Sequence, residues 1–360
     1  MRRGILLVLV LSFLVLSVAQ YAFAIPYWAK NATITYRADY YAPYVEYRVS
    51  QGQRPEWIKT GYFTYNYSGM LYYGEGYGPV VVRFNLTGDG EFVNVTAEFL
   101  LKNVNITTVL PPGYSPLVFW NESDVISNET AKDHFVGFED WKWYVFHLKQ
   151  LRITGKYRIR VNDSMVVKDG VVYGHTMLWD DPEKPLVNGS LFSVYPFKSR
   201  IDDVQIDNER VFKGKNITIK PPTKLVTTTK ISYNGTQRLK GVKKARFLVG
   251  WYGIMMFRFD ASNGLLISTG FDAPDFWALG FLSASFIDEY HEYQVVAKGD
   301  KSYLTGLVLA NFTTGVKRQE ETVNYSKPQT GLKWVFYSSI LLLAGVIGWK
   351  LQPKDNRWNK

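Results

Sequence analysis

Asparagine followed two residues later by serine or threonine is the most frequent chemical signature in this chain. In such an Asn-X-Ser/Thr triplet, with X not proline, the side-chain amide accepts an N-linked glycan. Thirteen of the 18 asparagines begin one: Asn31, Asn66, Asn85, Asn94, Asn105, Asn121, Asn128, Asn162, Asn188, Asn216, Asn234, Asn311 and Asn324. With 43 Ser plus Thr among 360 residues, chance placement gives only about 2 acceptors. Asn356 and Asn359, near the C-terminus, begin none. A glycan is bulky and polar, so each acceptor is expected at the surface of an exported protein. Thr-rich strands meeting Asn turns account for a few of the thirteen, but not for the excess.

Acid–base and metal chemistry is sparsely provided for. Asp133-His134 with Glu139-Asp140, and the run Asp288-Glu289-Tyr290-His291-Glu292, combine imidazole with carboxylates. Neither has the tight ligand spacing of a His-Glu-x-x-His helix, and both read equally well as solvated loops. Asp180-Asp181 and Asp202-Asp203 are adjacent pairs; neighbours on a strand face opposite ways, so these are expected to serve turns. There is no Gly-x-Ser-x-Gly elbow, no phosphate loop and no cofactor fingerprint. Gly74-Glu-Gly-Tyr-Gly78 reads as an exposed, flexible loop. No convergent acid, base or nucleophile emerges, and a non-catalytic protein is expected.

Charge is unevenly placed. From Arg210 to Phe259 there are 12 Lys plus Arg and no acid, within a chain of net charge +10. Such a band, with Lys240, Lys243, Lys244 and Arg246 at its centre, could attract lipid headgroups, an acidic glycan or an acidic envelope protein. The plainer reading is a set of outward strand faces whose bases pair with nearby acids. No nucleic-acid-binding module is present. Aromatic residues are dense, with 25 Tyr, 22 Phe and 11 Trp. Trp141-Lys142-Trp143-Tyr144 and Phe276-Trp277 could stack on sugar rings, or simply fill a β core.

The elements that must carry these groups are strands. Tyr, Phe, Trp, Val, Ile and Thr dominate the middle of the chain and suit a pleated, half-buried surface. Alternation shows in Thr33–Arg37, in Phe92–Thr96, and in Lys156–Val161, where three bases oppose three apolar groups. Turns are expected at Lys168-Asp169-Gly170, Asn234-Gly235, Ser262-Asn263-Gly264 and Gly299-Asp300. Pro111-Pro112-Gly113 and Pro221-Pro222 are breaks that no central strand would tolerate. Residues 124–140 are the best place for a short helix. The succession 225–233, 245–248 and Phe257-Arg-Phe-Asp-Ala-Ser-Asn-Gly-Leu-Leu-Ile267 resembles the consecutive hairpins of lipoprotein-carrier (LolA-like) sheets. Over about residues 225–310, that resemblance implies a curved sheet whose concave face takes acyl chains.

The two ends differ from the middle. Arg2 and Arg3, an apolar run to Ala19, and Ala22-Phe23-Ala24 follow the order of a secretory signal peptide, with cuts possible after Ala24 or Ala19. Trp334–Trp349 is uncharged and lies between Lys333 and Lys350, which suits a membrane-spanning helix with a cytoplasmic basic tail. The expected organisation is therefore a signal at 1–24, β ectodomain at 25–209 and 210–331 (one domain or two), a membrane helix at 332–350 and a tail at 351–360. The expected fold is mainly β: an antiparallel sandwich or broad curved sheet, with one C-terminal transmembrane helix. The chain contains no cysteine, although disulfides persist outside the cell. N-glycosylation without cysteine points to an archaeal surface. The function that follows is a glycosylated envelope, adhesion or accessory protein; the alternative is an extracytoplasmic module binding a lipid or glycan.

Overall fold

Period-two alternation of apolar and polar side chains runs through the chain, and in the computed structural model the described residues form 22 strands. The structure describes residues 25–38, 59–132, 141–181, 183–214, 217–230, 233–237, 245–249, 253–270, 272–286, 295–298 and 301–315, with short pieces between 49 and 54. The strands are β1 (Asn31–Ala38), β2 (Gly61–Tyr67), β3 (Met70–Gly76), β4 (Val80–Gly88), β5 (Phe92–Leu110), β6 (Val125–Lys132), β7 (Lys142–Arg160), β8 (Met165–Lys168), β9 (Val171–His175), β10 (Leu191–Ser193) and β11 (Ser199–Asp207). They continue with β12 (Phe212–Lys213), β13 (Thr218–Ile219), β14 (Thr223–Lys230), β15 (Tyr233–Gln237), β16 (Ala245–Val249), β17 (Gly253–Asp260), β18 (Leu266–Thr269), β19 (Phe281–Ser285), β20 (Val295–Lys298), β21 (Lys301–Leu304) and β22 (Leu307–Thr314). A short helix, α1 (Pro274–Ala278), lies before β19.

Twelve strands close on themselves. The ring runs β5-β4-β1-β22-β18-β17-β14-β11-β10-β9-β8-β7, and β7 then pairs back onto β5 from Phe92↔Arg160 to Leu110↔Lys142. Every pairing in it is antiparallel. β5 and β7 are 19 residues each, long enough to leave the ring. Their far halves carry β3, β2 and β19 on one side and β6 on the other. A small sheet, β13-β12-β21-β20, lies apart from the ring. Its Phe212, Ile219 and Leu304 pack with Ile267 of β18 and Val308 of β22, while the neighbours Leu266, Leu307 and Leu309 belong to the main core. β18 is thus buried on both faces, as its apolar Leu266-Ile267 start requires.

An eight-stranded barrel is just filled by its own side chains, so twelve strands enclose more space than theirs can fill. Large aromatics and inserted chain take up the difference. Tyr36, Phe84, Phe99, Phe257 and Phe259 are fully buried. The non-strand run Thr176–Asp181 is buried throughout and bonds to the β17–β18 turn through Asp180 N–H to Gly264 O at 2.8 Å. α1 packs its Phe276 against Phe99, with ring centroids 5.8 Å apart. Gly155 on β7 makes room for this insertion, since a Cβ there would sit 2.5 Å from Leu279 Cδ2. Trp28 meets Trp179 and Phe312 edge-on and donates its indole N–H to Asn263 O.

The expected fold class is corrected accordingly. A closed barrel replaces the sandwich or open curved sheet, and the concave face implied by the lipoprotein-carrier resemblance is closed and packed. Among the described residues no helix is long and apolar enough to cross a membrane, so a membrane helix forms no part of the described fold. Residues 1–24, 332–350 and 351–360 lie outside it. Strands from before and after residue 210 share the one ring: β22, β18, β17 and β14 sit side by side and join the earlier strands where β1 pairs with β22 and β11 with β14.

Local expectations divide. The hairpin at 168–170 forms, with φ of 51° at Asp169 and 79° at Gly170, as a tight primed turn requires. Ser262-Asn263-Gly264 joins β17 to β18 as expected. Asn234-Gly235 is not a turn: both pair with β16 inside β15. No helix lies over 125–132, which form β6, because Val125–Lys132 find ladder partners on β7. Gly74-Glu75-Gly76 is strand, not loop; a Cβ at Gly74 would lie 2.0 Å from the Phe63 ring, so the glycine lets an aromatic cross the pleat.

Candidate functional site

Two sets of polar residues are built well enough to consider. The first is inside. Asp275, the second residue of α1, accepts hydrogen bonds from Tyr157 Oη and Thr176 Oγ1, both at 2.7 Å, and from Met177 N–H at 2.6 Å. Burial pushes its carboxyl above the ordinary value, against the pull of these donors. The Tyr157 phenol is held well above its own range by burial and then by Asp275, so it stays a donor. Nearby, His175 is buried, its Nδ1 is 2.8 Å from Thr176 O, and burial lowers its pKa.

Asp180 and Lys224 form an ion pair at 2.6 Å, with side chains only 6 % and 8 % exposed. Lys224 Nζ also donates to Leu186 O at 2.7 Å, and Asp180 Oδ1 accepts from Leu186 N–H at 2.7 Å. The expectation that Asp180-Asp181 serve turns holds for Asp181, which accepts from Glu183 N–H at 3.0 Å. It fails for Asp180, whose partner is a base from the Arg210–Phe259 band. Apart from Asp181 Oδ2, which is buried without a hydrogen-bond partner, these groups are held by fixed donors and counter-charges. Among the described residues no group of three or more His, Asp or Glu could hold a metal ion.

The same band loses a second base to the interior. Arg258 is buried and stacks over the Phe212 ring at 4.3 Å; burial pulls its pKa down to about 10. Arg246 lies on β16 opposite Thr236, and Lys240, Lys243 and Lys244 lie outside the described residues. Of the two histidine clusters, His134, Glu139 and Asp140 fall outside them, as do Asp288–Glu292. Asp202 and Asp203 lie on β11 at a register shift. Trp141, Phe276 and Trp277 are buried core residues, while Trp143 and Tyr144 are half-buried against that core.

The second set is outside, and it is the acceptor asparagines. Ten of the thirteen fall where burial is described: nine are exposed, Asn105 is half-buried and none is buried. Asn216 and Asn324 lie outside the described residues, and Asn234 is placed by its backbone alone. The reason is geometric. Asn-X-Thr has a spacing of two, which is the strand period, so both polar residues share the outward face. On β1, β4 and β5 the triplets interlock: Thr33 opposes Asn85, and Thr87 is flanked by Asn31 and Asn94. Thr33 Oγ1 donates to Asn85 Oδ1 at 3.0 Å, and Asn94 Nδ2 donates to Asp89 Oδ2 at 2.8 Å. Asn311 on β22 opposes Thr35. On the extension, Asn105 Oδ1 lies 2.7 Å from His147 Nδ1, with Glu129 of β6 beyond it at 3.8 Å.

Sequence reasoning identified this outward set but missed the inward one. Its only signals were charged residues set among apolar ones, in Met-Leu-Trp-Asp-Asp and Ala-Pro-Asp-Phe-Trp. No known protein family, curated protein or solved structure matches this chain.

Proposed function

We propose that the chain is an N-glycosylated surface protein with a non-catalytic envelope, adhesion or accessory role, its barrel acting as a rigid support for an outward glycan-bearing face. One observation carries this reading: thirteen acceptors occur where chance gives about 2, and no described acceptor is buried. A bulky glycan requires that placement. A packed interior with its buried carboxylates held by neighbours fits a supporting role better than a catalytic one. The lack of cysteine in an exported protein fits an archaeal envelope.

The test is glycopeptide mass spectrometry on protein from its native source. Glycans are expected at several of the ten described acceptors. Unmodified asparagine at every acceptor would remove the reading.

A further inference from the structure

The acceptors differ in how the folded chain presents them. Glycan transfer joins the Asn Nδ2 to the anomeric carbon of a glycosyl phosphate donor carried on a lipid. The anomeric C–O bond breaks, the lipid phosphate leaves with the electron pair, and Nδ2 gives up one proton to base. Because the hydroxyl two residues on belongs to the recognised motif, the transferase must hold at least three consecutive residues.

Five of the described triplets cannot be held in that way once the barrel is built. Asn31–Thr33 is laddered to β22 and to β4, and Asn105–Thr107 to β3 and to β7. Asn85–Thr87 is laddered on one side to β1 and on the other to β5. Asn94–Thr96 is laddered to β4 and to β7. Lifting any of these strands out breaks backbone bonds on both sides, at the slow, high-cost end of local opening. Asn162 is exposed, but its motif hydroxyl is not. Ser164 is 1 % exposed, and its Oγ accepts the Trp179 indole N–H at 2.9 Å.

Two other triplets are free of this constraint. Asn121 precedes a single 3-10 turn, Glu122–Asp124, with Ser123 exposed. Asn188 sits in a turn closed by Ser190 N–H to Val187 O at 2.9 Å, with Gly189 at φ 81°. The backbone of that turn is bonded on one side, to Ile201, and its half-buried motif hydroxyl Ser190 Oγ accepts the Val187 N–H of the same turn at 3.1 Å.

We propose, building on the glycoprotein reading above, that Asn31, Asn85, Asn94, Asn105 and Asn162 are modified only before the barrel closes, whereas Asn121 and Asn188 remain competent in the folded protein. The full chain, made in a host without N-glycosylation, is offered folded or urea-unfolded to an oligosaccharyltransferase with its lipid-linked donor. Occupancy is read at each acceptor by mass spectrometry. Folded protein should be modified at Asn121 and Asn188 on the order of tenfold or more faster than at Asn31, Asn85, Asn94, Asn105 and Asn162, and unfolding should abolish the difference. Folded protein modified at Asn85 and Asn94 as fast as at Asn121 overturns the inference and leaves the glycoprotein reading intact. Modification at no acceptor in either state, with none on native protein, overturns both.

Discussion

Removing the Lys224 amine should be among the most damaging single changes to this barrel. In Lys224→Met the Asp180 carboxylate keeps only the Leu186 N–H at 2.7 Å and loses the counter-charge 2.6 Å away. With both side chains more than nine-tenths buried, water cannot replace the ammonium. Breaking one side of such a pair costs about 3–5 kcal/mol. At about 2–4 °C per kcal/mol, the midpoint should fall by roughly 6–20 °C. The double variant Asp180→Asn/Lys224→Met removes the stranded charge while its side-chain oxygen still accepts from Leu186, so most of the loss should be recovered. The assay is thermal unfolding followed by tryptophan fluorescence, because Trp28 and Trp179 meet inside the barrel. A Lys224→Met midpoint within about 2 °C of the parent would refute the reasoning, since that is how a solvent-screened surface pair behaves.

Gly74→Ala should cost about 1–3 kcal/mol by overpacking against Phe63, and Phe63→Leu should recover part of it in denaturant melts. His175 is held below its ordinary value by burial, so the native state binds fewer protons there than the unfolded one. Its contribution is complete above about pH 6.5 and is lost as pH falls through that value towards the folded pKa; His175→Asn should flatten this acid limb in melts across pH. Asp275 has the opposite sign. Its carboxyl is raised by burial, so its contribution is largest below the unfolded carboxylate value and declines as pH rises through the folded one; Asp275→Asn should reduce that decline. Asn31, Asn85 and Asn94 lie on adjacent strands, diagonal neighbours being about 7–8 Å apart. Crowded glycans on closed strands should therefore lower the melting midpoint of molecules carrying all three below that of molecules carrying one, read by thermal unfolding of separated glycoforms.

Local structure was legible where one residue's surroundings decide it. Lys156, Arg158 and Arg160 face outward and Tyr157, Ile159 and Val161 inward, as alternation required, and Asp169-Gly170 made the turn its backbone freedom allows. Ring closure was not legible, because the same alternation serves a sandwich, an open sheet and a barrel. What decides between them is the pairing of β1 with β22 and of β5 with β7, and periodicity carries no record of partners. The inward polar set was hidden for a related reason. Lys224 and Arg258 read as surface bases by type, and partners distant in sequence, Asp180 with Leu186 O and Phe212 with Thr223, make their burial tolerable. At Gly74 the glycine suggested freedom, whereas the structure uses it for close approach.

The seam between β1 and β22 also sets a clock. Thr314 bonds to Asn31 across 283 residues, so the first strand of the ring waits for the last to be synthesised. At about 5–20 residues per second, that wait is roughly 14–57 s. Throughout it β1 keeps an unpaired edge, a template for other strands. A glycan added at Asn31 or Asn85 during that interval would screen the open edge from neighbouring chains, so the modification would act as a folding guard before it served the finished surface.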